Sequence, residues 1–409
     1  MLRLSSSGLK SRLNSAEVWL DRPAAIRILL AIGGLGLASR FVLARVSIGS
    51  EDIITWSRFA SQIDVHGVEW MYRNVSEFNH PPLMGWWALA AARLSSFTGW
   101  AFEPCFKLLP CVADICSAVL LWRIWRARAG VGYGALAFAL FALNPVSLLV
   151  SGYHGNTDSA LAMLALASCY LLECRNAPFT AGLALGGAIN VKLIPVLLIP
   201  ILVVRVTKWD GLVRLAAGLS VAVIPFVPAL LTSWPGFRHN ALEYNSSWEN
   251  WGFAFFIRHA EASSRLHAIA DIVHRVFASI GRYLIVGGIL AVCQLQRLTR
   301  RFDSFQLAAC AFALFLVFTP GFGVQYTVVV VPALFACSLS WAVVYSLTAG
   351  AFIFGVYFLF WNVTWPLYSH FTLGFSQPVS LLGILSWALL GTFLVHQIRG
   401  GFRVSQGVK

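Results

Sequence analysis

Between Asp303 and Arg399 the chain carries no Lys, Arg, Asp or Glu. A soluble domain has about a quarter of its residues charged, whereas a lipid-facing helix excludes charge and satisfies its backbone internally. The rest of the chain follows the same rule more loosely. Of 409 residues, 58% are hydrophobic and 11% charged, and mean hydropathy is +0.73. The expected fold class is all-α, a polytopic membrane helical bundle.

The net charge of +13 raises the question of nucleic acid. The basic residues, however, cluster as short runs at the ends of apolar spans, as topology requires, so no nucleic-acid partner is expected. The eight cysteines lie in or beside apolar spans. Their spacing is not that of a zinc knuckle, and they read as small buried hydrophobes with no disulfide framework and no metal site. The amino-terminal stretch, with Arg3, Lys10 and Arg12, is too long and polar for a cleaved leader, so the first span is expected to stay.

Spans of roughly 20 apolar residues, oriented by their basic ends, predict about 12 crossings with both termini cytoplasmic. Residues 1–24 form a cytoplasmic segment, 25–397 the bundle and 398–409 a cytoplasmic tail. Outer loop 1 covers about 49–103 and includes a helix over Pro81–Trp100 that lies in the interface. Outer loop 2 covers about 235–268. Between them, Thr180–Asn190 and Pro195–Val206 are too short to span and read as a broken pair of helices joined at Lys192. Asp158–Cys174, Val276–Leu295, Phe305–Thr319, Gln325–Ser338, Trp341–Phe360 and Val379–Val395 are among the remaining spans.

Polar and aromatic residues gather on the outer side. The stretch Ser50–Trp87 holds Glu51, Asp52, Asp64, His66, Glu69, Arg73, Asn79 and His80. Later outer segments hold His154, Asn156, Asp158, Arg238, His239, Glu243, Glu249, Gln325, Tyr326 and His370. Most of the sixteen Trp residues, including Trp56, Trp70, Trp86, Trp87, Trp248 and Trp251, fall there too. Arg40, Asp114 and Lys192 lie within the apolar segments. Charge at such depth is costly and is either paired or functional. Lys192, beside Pro195 at the helix break, reads as a cavity-facing cation; snorkelling, or a pair with Asp114, is the alternative.

Asp52 followed by Trp56, then Gly67 and Tyr72, then Asn79-His80-Pro81-Pro82-Leu83 resembles the first outer loop of GT-C glycosyltransferases. These multi-span enzymes take a sugar from a polyprenyl-phosphate carrier. Asn144-Pro145 with His154-Gly155, Asn190-Val191-Lys192 with Pro195, and the segment from Arg238 to Trp251 resemble further elements in the same order. The likeness is to the dolichol-phosphate-glucose-dependent branch and to bacterial mannosyltransferases. Asn79-His80, Asn156-Thr157-Asp158 and the segment Gly321–Tyr326 depart from the eukaryotic branch, which bears on donor and acceptor identity.

Such a transfer needs a base on the acceptor hydroxyl and cations or helix N-termini at the departing phosphate. The resemblance selects Asp52 of the Glu51-Asp52 pair as base. Lys192, Arg238 and Arg40 are the phosphate candidates. Glu51, His80, His154, Asp158, Gln325 and Tyr326 are the sugar or acceptor candidates; Asp158 alternatively caps its helix beside Thr157. No metal is demanded, although a divalent cation is compatible with the sequence. The expected partners are a polyprenyl-phosphate-linked hexose, mannose or glucose, and a glycolipid or glycan acceptor within membrane lipid. A secondary transporter, which a broken helix pair also suits, and a lipid-linked glycan flippase stand as alternatives. The preponderance of Arg over Lys favours a bacterial plasma membrane. The triplets starting at Asn74, Asn245 and Asn362 suit an endoplasmic reticulum membrane.

Overall fold

The computed structural model describes residues 19–244, 251–261, 266–372 and 377–403. Arg3, Lys10, Arg12, Trp248, Glu249 and the triplet at Asn245 lie outside these residues.

In chain order the elements are α1 (Pro23–Val46), β1 (Gly49–Ser50), α2 (Glu51–His66), α3 (Val68–Asn74), α4 (Pro82–Thr98), α5 (Phe102–Ala129) and α6 (Val131–Ala142). Next, α7 (Pro145–Leu148) runs into a wider turn, Leu149–His154. It is followed by α8 (Asp158–Arg175), α9 (Pro178–Val191), α10 (Ile199–Arg205), α11 (Trp209–Val221), α12 (Val227–Thr232) and α13 (Trp234–Phe237). The remainder comprises α14 (Gly252–Glu261), α15 (His267–Thr299), α16 (Ser304–Phe318), α17 (Val331–Cys337), α18 (Leu339–Phe354), β2 (Asn362–Thr364), β3 (Tyr368–His370) and α19 (Gln377–Arg403).

The protein is an α-helical membrane protein, but its crossings are less uniform than periodicity implied. Among the described residues, six helical segments are long and apolar enough to cross a membrane: Pro23–Val46, Phe102–Ala129, Trp209–Thr232, His267–Thr299, Leu339–Phe360 and Pro378–Gly400. A seventh is the pair Val131–Ala142 and Pro145–His154, bent by 44°. Pro178–Val191, Ile194–Arg205, Ser304–Phe318 and Val324–Cys337 are apolar but shorter. Pro195, Pro200 and Pro332 lie in the first turns of short helical pieces, where a missing N–H costs nothing but a longer helix cannot run through.

The structure also differs from the all-α expectation in one local respect. β1 pairs in parallel with β3, and β3 pairs antiparallel with β2, giving a small sheet in the order β1-β3-β2. These strands have two or three residues and no apolar alternation, so nothing in their pattern announces them.

Close helix packing comes from small residues. Gly182 and Gly186 of α9 face α11, where an added Cβ would strike the Leu215 carbonyl and the Ala222 methyl. At one end of the bundle Arg205 holds Glu173 at 2.7 Å, Ser304 donates to Glu173 at 2.6 Å and Arg128 holds Asp303 at 2.6 Å. Asp303 and Gln306 form a reciprocal capping box at the start of α16. α8 runs from this network to its first residue, Asp158, about 22 Å away at 1.5 Å per residue. The polar residues at that far end form the site.

Candidate active site

Asp52 stands in the first turn of α2, where an anion is favoured by the unpaired N–H groups of the helix start. Its place is set from three directions. Upstream, Ser50 aligns with Ser369 in the sheet, and its hydroxyl donates to the His154 carbonyl at 3.1 Å. Behind β1, the buried Lys107 ammonium donates to the carbonyl and hydroxyl of Ser47 at 2.9 and 3.2 Å. Gly49, with φ of +105°, lets the chain turn against the Tyr153 carbonyl, which a Cβ would overlap.

The carboxylate itself is held by His154 and Asn156. His154 Nε2 lies 2.9 Å from Asp52 Oδ2, and Asn156 Nδ2 donates to the same oxygen at 2.7 Å. The Tyr357 hydroxyl lies 2.7 Å from His154 Nδ1. An ionised carboxylate can only accept, so His154 Nε2 carries a proton and donates it to Asp52. The Asp52 side chain is 42% exposed, while that of His154 is 3% exposed. The arrangement fixes one carboxylate oxygen and leaves the side chain open toward a cavity.

Lys192 arrives from the break between α9 and the turn at Ile194, where its backbone is extended. Its ammonium lies 3.1 Å from each oxygen of Asp158 and 4.4 Å from the centre of the Tyr326 ring. His80 packs on Trp56 at 4.4 Å, and Trp56 stacks on Phe106 at 5.1 Å. Together Asp52, Trp56, His80, Asn156, Lys192 and Tyr326 line a cavity of about 150 Å³. His80 Nδ1 and Asn156 Oδ1 are buried there without a hydrogen-bond partner among the described residues. An apolar groove of about 410 Å³ adjoins it, sharing Asn79, Lys192, Tyr244 and Tyr326, and walled by Leu193, Leu197, Ile285 and Phe315 among others.

The electrostatics follow from this packing. The protein around Asp52 pushes its carboxyl up, but the pull of His154, the hydrogen bonds from His154 and Asn156, and the charge of Lys192 outweigh that. The net result holds the carboxyl well below the usual carboxylate range. His80 is pushed down to about 3 by burial and by Lys192, against the pull of Asp52, so its imidazole is neutral at physiological pH. Among the described residues, no three His, Cys, Asp or Glu side chains gather closely enough to hold a metal ion.

Of the residues singled out in the sequence, Asp52, His80, Lys192, Gln325 and Tyr326 line one cavity. Others do not. Arg40 is fully buried and its guanidinium is spent on Asp114 (2.8 Å), the carbonyls of Gly36 and Ala142 (2.6 and 2.5 Å) and the Ser147 hydroxyl (2.7 Å). It has no capacity left for a phosphate, and Asp114 is its counter-ion and not that of Lys192. Arg238 pairs with Glu243 at 2.8 Å in an exposed position, away from the cavity lining. Glu51 turns aside to accept from the Phe371 amide at 3.3 Å. His154 has both ring nitrogens engaged, so it orients Asp52 and has none left for a sugar. Asp158 makes no cap; it is the partner of Lys192. Asn156 stood in the outer polar inventory without a role, and Tyr357, an aromatic in an apolar run, carried no signal at all.

Two comparisons place the chain among known proteins. Glycosyltransferase family 87 matches residues 78–320 of the chain. The catalytic subunit of GPI alpha-1,4-mannosyltransferase I from Danio rerio is 31% identical over 157 residues, covering 38% of this chain and 36% of that protein. The chain therefore spans little more than a third of the length of this curated relative.

Proposed function

The chain belongs to glycosyltransferase family 87, and from that premise we propose that it moves a hexose from a polyprenyl-phosphate donor to an acceptor hydroxyl, with Asp52 as base. Membership of the family makes it a membrane glycosyltransferase and removes the transporter and flippase readings. The observation that carries the finer reading is a juxtaposition. A carboxylate anchored through one oxygen lies in a small polar cavity, and that cavity opens onto an apolar groove through Lys192 and Tyr326.

In this reading the groove takes the first isoprene units and the cavity takes the sugar. Asp52 accepts the proton of the acceptor hydroxyl as its oxygen attacks the anomeric carbon. The bond from that carbon to the phosphate oxygen breaks, the phosphate departs with the electron pair, and the configuration inverts. A carboxylate held far below the usual range is a weak base, which suits a late proton transfer concerted with loss of the phosphate. Lys192, already balanced by Asp158, supplies a directional hydrogen-bond donor to the phosphate and little free charge. Neutral His80 and Asn156, with their unpartnered atoms, are placed to meet sugar or acceptor hydroxyls. Mannose is the favoured sugar, since the relative from Danio rerio is named a mannosyltransferase. The basic runs at the ends of apolar spans support cytoplasmic termini for a count of about twelve passes, and the preponderance of Arg over Lys supports a bacterial plasma membrane.

The test is Asp52→Asn in detergent-purified protein, assayed with a synthetic polyprenyl-phosphate sugar. Loss of general base catalysis should lower transfer by about 10²–10⁴-fold with thermal stability maintained. Full activity in this variant would remove Asp52 from the mechanism.

A further inference from the structure

The charges around the site do not suffice for the reaction proposed for it. Asp52 is paired with His154 and Asp158 with Lys192, so among the described residues of the cavity end no cation is left over for a ligand. A phosphodiester placed beside them adds a third negative charge, and its leaving phosphate becomes more negative as the bond breaks. A further cation is needed, and it must face the groove.

Arg282 is that cation. It lies near the middle of α15, in a helix long and apolar enough to span a membrane. It is exposed, and its side chain lines the same groove as Lys192, Ile285 and Val286. Among the described residues it has no carboxylate partner; its guanidinium carbon lies 5.0 Å from the centre of the adjacent Tyr283 ring. One and a half to two turns earlier on the same helix, Arg275 is paired with Asp271 at 2.8 Å. In a spanning segment a charged side chain without an acid is expensive, and an apolar wall offers nothing to offset it. We infer that Arg282 binds the phosphate of a prenyl-linked phosphodiester, as the second cation opposite Lys192. It thus determines affinity for the donor's charged end, a role that rests on the donor class proposed above. The planar guanidinium suits two phosphate oxygens at once.

The experiment measures binding of farnesyl phosphate, a prenyl phosphate without sugar, to the full chain in detergent, alongside KM and kcat for the sugar donor. Arg282→Gln should weaken farnesyl phosphate binding by about 10- to 100-fold, the range for a lost charged hydrogen bond. The loss should appear in the donor KM more than in kcat. Arg282→Lys should recover part of the binding, and Arg275→Gln, which removes a paired arginine outside the groove, should bind as the unaltered protein does. Equal binding by Arg282→Gln and the unaltered protein would overturn the inference while leaving the proposed reaction standing, and would mean that Arg282 only reaches toward the membrane interface. Failure of the unaltered protein to bind farnesyl phosphate would overturn both.

Discussion

Arg40 offers a sharp separation between a ligand-binding arginine and an architectural one. It is 0% exposed, and its donors reach Asp114, Ser147 and the carbonyls of Gly36 and Ala142. The Asp114 oxygen that it meets also accepts from Ser147 at 2.9 Å and Ser151 at 2.7 Å. Asp114→Asn leaves this web of donors around a buried guanidinium without its counter-charge. Breaking a buried pair from one side costs about 3–5 kcal/mol. With about 2.1 cal/mol/K of unfolding entropy per residue over a chain of this length, that is a fall in apparent Tm of about 3–6 °C. Arg40→Met should cost a similar amount, by stranding the carboxylate. The double variant Arg40→Met/Asp114→Leu removes both charges together, and such replacements are commonly neutral or stabilising by about 1–4 kcal/mol. Thermal unfolding of the purified protein, followed by tryptophan fluorescence, reads all three. The double variant should regain both Tm and sugar transfer. If Arg40→Met instead keeps its Tm and loses donor binding, and the double variant does not recover it, Arg40 is a ligand after all and the architectural assignment is wrong.

Two further outcomes follow from the carboxylate's surroundings. Because Asp52 is held well below the usual carboxylate range, it stays ionised through neutral and mildly acidic pH, and the acidic fall in transfer rate lies below that range. The sign is that of a depressed acid: its contribution to stability is present above the unfolded value near 3.9 and is lost only as pH falls through the folded one. Asn156→Ala removes one of the stabilising donors, so the acid limb of the rate profile should move to higher pH; an unmoved limb would dissociate Asp52 from the rate. Gly155 has φ of +76°, and an added Cβ would overlap Ile53 beside Asp52 and come within 3.0 Å of Lys107 Cε. Gly155→Ala should therefore abolish transfer and lower Tm, whereas retained activity would show that the His154 turn tolerates displacement.

What could be read from residues alone divides by distance along the chain. The charge-free stretch between Asp303 and Arg399 announced membrane helices because lipid imposes that composition on every residue it touches. The break at Lys192 was legible because Pro195 and short apolar runs act locally, and the structure has the extended residue there. Lys192 stood out because charge within apolar sequence is rare, and Asp52 because the Asp52–Trp56 spacing resembles that of a known family. The pairings were another matter. Arg40 and Asp114 are 74 residues apart, and His154 and Tyr357 are 203 apart. No periodicity links such residues; only the packed bundle does. Arg40 was therefore mistaken for a free cation, and Arg282, placed in an apolar helix without comment, was passed over. Tyr357 reads as one more aromatic in a greasy run until the imidazole beside it is seen.

The small sheet sets a schedule for the enzyme as it is made. Residues 1–320 already contain Asp52, His154, Asn156, Asp158 and Lys192. A chain of that length lacks the strand that aligns with Ser50, the hydroxyl of Ser369 that lies 2.5 Å from the Tyr153 hydroxyl, and the tyrosine whose hydroxyl meets His154 Nδ1. Those arrive only with residues 357–370. A ribosome-bound intermediate would carry Asp52 unaligned, and on the proposed mechanism transfer would begin only once the late segment had docked beside the first. A nascent chain stopped before Tyr357 should thus be inserted, helical and silent.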